Sequence, residues 1–149
     1  MITIILLAIG GAVLAAVIGT VWYMPFTPMG KLHMKYLGFD KLSKEEQEQK
    51  IKEAKPHMWK MYVGQIVLSF LTAFAVVYTT LISIQSGVPP LFTLGFAAMN
   101  WLCFMVPVVG SAILWSNIDR NIVWKKFFSD IGANFVTVIL IAFLASLFA

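Results

Sequence analysis

A chain of 149 residues that is 60% hydrophobic and 12% charged, with a mean hydropathy of +0.84, falls outside the soluble class, where about a quarter of residues carry charge. The net charge of +4 is gathered in two stretches, and the longer basic one, residues 31–60, is acid-rich and short of interleaved aromatics, which argues against a nucleic-acid partner. The single cysteine, Cys103, excludes a disulfide within the chain.

Four apolar stretches cover most of the sequence, at approximately 2–23, 61–84, 91–115 and 127–148. Each is long enough to cross a hydrocarbon core, which takes about 20 apolar residues in a helix. The expected fold is therefore all-α: one domain over residues 1–149, an integral membrane bundle of four transmembrane helices. The first stretch has no Lys or Arg before it and ends in bulky Trp22, Tyr23 and Met24, unlike a cleaved signal peptide. Small residues recur every fourth position along it, at Gly11, Ala15 and Gly19 and again at Ala12, Ala16 and Thr20. Helices in lipid pack through such faces, either within one bundle or against a second copy.

Trp22 and Tyr23 stand where the first helix leaves the hydrocarbon, the usual depth for amphipathic rings. Pro25 and Pro28 turn the chain. Met29, Leu32 and Tyr36, with Lys31 and Lys35 between them, predict a short interfacial helix ended by Gly38. Ser43 and Glu46 then form a capping box, and Glu46–Lys50 and Glu48–Lys52 are favourable i,i+4 pairs. This solvated helix is expected to stop before Pro56. Residues 31–60 carry eight lysines against five carboxylates, net +3, a weak attraction for anionic lipid. The short connection at 83–91 has no charge, and the remaining cations, Arg120, Lys125 and Lys126, precede the last span. Basic residues in short loops mark the cytoplasmic side. The connection at 25–58 is thus expected inside, and both termini outside a plasma (inner) membrane.

Polar side chains within spans need partners. At about 1.5 Å per residue, Gln65 and Asn134 reach similar depths, roughly 10 Å in from the charged end. Both are expected to face the bundle interior, with Ser111 nearby and Asn100 deeper, level with Thr72. Asp130, after Ser129, is expected to cap the last helix. Pro107 is expected to kink the third span and free the carbonyl of Cys103, itself expected to be a buried packing residue. Two distant histidines, one cysteine and no paired carboxylates give no metal site and no cofactor set, and no catalytic motif is present. Three functional readings remain: a non-catalytic scaffold or accessory subunit, self-associating or bound to a membrane partner; a small transporter or channel with an interior polar cluster of Gln65, Asn100, Ser111 and Asn134; and, last, an enzyme acting on lipid.

The runs "GTVWYMPFTPMGKLHMKYLG", "NWLCFMVPVVGSAILW" and "WKKFFSDIGANFVTVILIAFLASLF" resemble the small four-helix membrane family known as domain of unknown function 1761. Trp22, Tyr23, Pro25 and Gly30 match its helix-end pattern; His33 stands where members often carry tryptophan. The resemblance implies an integral membrane protein, mostly bacterial, and assigns no activity.

Overall fold

The computed structural model describes residues 1–149, the side chain of Leu114 apart. Its helices are α1 (Ile2–Trp22), α2 (Pro28–Tyr36), α3 (Lys44–Gln85), α4 (Pro90–Asn100), α5 (Val106–Leu114) and α6 (Arg120–Ser146), with a π-helical segment at Trp101–Met105 joining α4 to α5. Four units are long and apolar enough to cross a membrane: α1, the inner part of α3, the run Pro90–Ile113, and α6. Apolar side chains cover their outer faces; Leu68, Phe104 and Val108 are 61%, 68% and 69% exposed. In water such a surface would be an aggregation liability, whereas lipid solvates it.

α6 is the hub, touching α1, α2, α3, α4, α5 and the π segment. Its small residues allow this: Ala133, Ala142 and Ala145 are buried. On α1 the predicted packing face is used within the bundle at Gly11, where an added Cβ would stand 2.9 Å from Ala73 Cβ and 3.3 Å from Ile141 Cγ2. Ala8 and Ala12 are buried beside it, while Ala16 and Thr20 border an outward groove against Ile66.

Three expectations need correction. The helix expected to stop before Pro56 continues through it, so that α3 is 42 residues long, or about 63 Å. That is about twice a hydrocarbon core, and its first turns stand clear of the bundle. Every residue from 48 to 57 is exposed, so water can hydrate the carbonyl that proline leaves unpaired. Cys103 is exposed rather than buried. It lies in the π segment, where the backbone N–H of Val106 bonds back to Trp101 O; the extra residue per turn rotates side chains away from their α-helical positions. Finally, α6 begins at Arg120, seven residues before the apolar run does, and its cap is Asp119, whose Oδ1 accepts from the N–H of Asn121 at 2.9 Å and Ile122 at 3.3 Å. Asp130 is therefore three turns inside the helix and caps nothing.

Candidate functional site

The exit of α1 folds the way it does because of three residues. Thr27 caps α2: its Oγ1 accepts from Gly30 N at 2.9 Å and lies 2.8 Å from the carbonyls of both Trp22 and Met24, so its one proton is well placed. Pro28 supplies a fixed φ at the first turn of α2. Gly30 lies so close under the chain that a Cβ would fall 1.9 Å from Met24 O, a contact only glycine avoids. The turn folds α2 back onto α6.

That fold-back turns the polar tips of Trp22 and Tyr23 inward. Trp22 Nε1 donates to Ser129 Oγ at 3.1 Å, and Tyr23 OH donates to Asp130 Oδ1. Lys126 Nζ pairs with the same Oδ1, one helical turn away, and lies 4.9 Å from the Tyr23 ring centroid and 5.5 Å from that of Tyr36. Lys126 and Ser129 are buried, at 6% and 4% exposure. A buried ammonium is tolerated only with a counter-charge and neighbours that suit it; here a carboxylate and two aromatic faces provide both. His33, three residues beyond Gly30, packs its ring on Tyr23, centroids 5.2 Å apart. Its Nδ1 is buried without a partner. Burial and, secondarily, the Lys126 charge hold the His33 pKa below the usual histidine value.

Beneath this cluster lies a cleft of about 390 Å³ between α1, α3, α5, the π segment and α6. Gln65 and Asn134 both line it, together with Tyr23, Asp130, Ser69, Thr72 and Thr137. Ala15 and Gly19 of the α1 small-residue face line it too; no atom comes within 4 Å of a Cβ added at Gly19. Gln65 Nε2 donates to Ser69 Oγ at 3.3 Å and Asn134 Nδ2 to Asp130 O at 2.9 Å. Among the described residues, Gln65 Oε1, Asn134 Oδ1 and Asp130 Oδ2 accept no hydrogen bond. The cleft thus leaves both acceptors and donors free, the latter on the second amide protons of Gln65 and Asn134 and the hydroxyls of Ser69 and Thr72, and its one charged lining residue, Asp130, is neutralised by Lys126.

Asn100 lies elsewhere, on a second cavity of about 280 Å³ with Thr72, Thr79 and the π-segment residues Trp101, Phe104 and Met105. Thr72 and Met105 border both cavities. From Gln65 to Thr79 the pair extends over about 21 Å of α3, most of a 30 Å core. Ser111 is not part of either; it lines a separate groove with Pro107, Arg120 and Phe127. Trp101 anchors the π segment, donating from Nε1 to Ile131 O at 3.0 Å and meeting Phe135 edge-on at 4.8 Å.

The Lys126–Asp130 pair is not evident in the sequence because Lys126 groups there with the loop cations. Two signals could have found it: the i,i+4 spacing, and a Trp-Tyr pair at the matching depth on the first span.

Residues 6–146 match the family described as protein of unknown function DUF1761. The chain belongs to that family. No curated protein and no solved structure matches it. Every residue of the Trp22–Asp130 cluster and of both cavities lies inside the span that matches DUF1761.

Proposed function

We propose that this DUF1761 protein binds a small, uncharged, hydrogen-bonding solute in the cleft beside Gln65, Asn134 and Asp130 and passes it across a plasma membrane. One observation carries the reading: polar residues from two spans, with Tyr23 at the end of a third, converge on a single cleft. Polar groups are expensive at this depth, and a purely structural pair closes on itself. Here three acceptor atoms stay open instead, and the neutralised carboxylate disfavours an ion. The second cavity, sharing Thr72 and Met105, extends the polar route toward Asn100. Discontinuous helices beside a binding site are a recurrent transporter device, and the π segment before Pro107 is such an interruption. The orientation that goes with this reading puts the lysine-rich connections in the cytoplasm and both termini outside, on the distribution of basic residues.

The test is osmotic uptake of urea and glycerol by proteoliposomes, followed by light scattering. Uptake should exceed that of empty vesicles, and Asn134→Leu, Gln65→Leu and Asn100→Leu should each abolish the excess while the protein stays folded. No excess for either solute with the unaltered protein would refute the transport reading.

One observation favours a second reading, a non-catalytic scaffold or accessory subunit: the start of α3 projects from the bundle with Ile51 half-exposed among charges. Replacing residues 43–55 by a Gly/Ser linker should then remove a co-purifying membrane partner and leave solute uptake intact.

A further inference from the structure

Lys125 and Lys126 are chain neighbours in unlike surroundings. Lys126 is buried against Asp130; Lys125 is exposed and, among the described residues, forms no ion pair. Successive helical residues are about 100° apart around the axis, so the two ammonium groups leave α6 on different sides. Lys125 borders a groove of about 480 Å³ between the end of α1, the start of α2 and α6. Its apolar wall is Met29, Leu32 and Phe128, the last 64% exposed. The polar groups of Trp22 and Ser129, which also line it, are committed to one another. What remains is one unneutralised cation above an apolar wall, with no acidic lining residue and with exposed Lys31 and Lys35 on the neighbouring helix.

The groove lies at the depth of Trp22, where the first span ends and a bilayer has its phosphates and glycerol backbones. Lipid is at that depth in any membrane. Charge complementarity then selects which lipid. We propose that the groove is a binding site for an anionic phospholipid. Lys125 Nζ takes the phosphate or an anionic headgroup, and Met29, Leu32 and Phe128 take the glycerol backbone and the first methylenes of an acyl chain. The proposal stands independently of the cleft and of any transported solute.

The experiment is native mass spectrometry of the full-length protein released from micelles containing phosphatidylglycerol or phosphatidylcholine with identical chains. One lysine near the headgroups corresponds to about a fivefold preference. Phosphatidylglycerol should be retained over phosphatidylcholine by about that factor, and Lys125→Gln should bring the ratio to about one. Lys125→Arg should preserve it, as should Lys52→Gln on the projecting part of α3. Phe128→Ser, which keeps the cation but removes apolar wall, should lower retention of both lipids together. Equal retention of the two lipids by the unaltered protein overturns the proposal, as does a preference that survives Lys125→Gln. Displacement of phosphatidylglycerol by millimolar inorganic phosphate also overturns it, since that would mark a site for the free anion.

Discussion

The two ends of the bundle are held together by different means. At the charged end, side chains tie one helix to another: Trp22 to Ser129, and Tyr23 to the Asp130–Lys126 pair. At the uncharged end, side-chain hydrogen bonds stay within their own turn, as in Thr79 to Ala75 O, Thr93 to Pro89 O and Ser146 to Phe143 O. Packing of Ala73, Val77, Leu81, Ile141 and Ala145 does the joining there, and the hairpin closes through Gly87 at φ 86° and the Val88 N to Ser83 O bond of 3.0 Å. Small residues in close contact suffice to assemble helices in lipid. The charged end, whose Tyr23 and Asp130 border the cleft, carries an additional polar network that assembly alone does not require.

Substitutions should separate the two ends in order of severity, read as thermal stability of the detergent-solubilised protein. Gly30→Ala drives a Cβ into backbone and should cost more than about 4 kcal/mol, observed as loss of folded protein. Asp130→Ala strands a buried ammonium and should cost about 3 kcal/mol, the lower end for a broken buried pair because Asp130 remains a fifth exposed. At the other end Gly87→Ala meets only backbone strain, about 1 kcal/mol, since nothing crowds the position. Trp22→Phe, which leaves the Ser129 hydroxyl without its donor, should also cost about 1 kcal/mol.

The smallest effect is one of pH. The folded-state pKa of His33 lies below its ordinary value of 6.5, so the unfolded chain takes up the proton first as pH falls. The stability His33 contributes is full above about pH 6.5 and is lost as the pH drops from there toward the folded-state value. His33→Phe, keeping a flat ring on Tyr23, should remove that part of the pH dependence. A hairpin variant such as Gly87→Ala should retain it.

The sequence made the spans legible, because burial in lipid requires long apolar runs and little else produces them. Gln65 and Asn134, counted to the same depth, border one cleft, but Gln65 is exposed rather than turned into the bundle interior as expected. Helix ends were harder. Hydropathy reports where lipid begins rather than where a helix begins, so the apolar run from Phe127 hides a helix that starts at Arg120 and makes Asp130 look like a cap. Pro56 signals a stop in the sequence, yet the helix runs through it because the carbonyl it leaves unpaired is exposed to water. Rotation about the helix axis was not legible at Ser111 or Cys103. The π segment shifts the register between them and Asn100, and nothing in composition announces such a shift.

The central claim is that the space between Gln65, Asn134 and Asp130 is open to water and small polar solutes. Labelling with a membrane-impermeant thiol reagent in proteoliposomes tests it directly, in a Cys103→Ser background. Asn134→Cys should react, and should be protected by urea or glycerol at high concentration, while Leu71→Cys, 56% exposed on the lipid side of α3, should stay unlabelled. An Asn134→Cys protein as inert as Leu71→Cys would contradict the account.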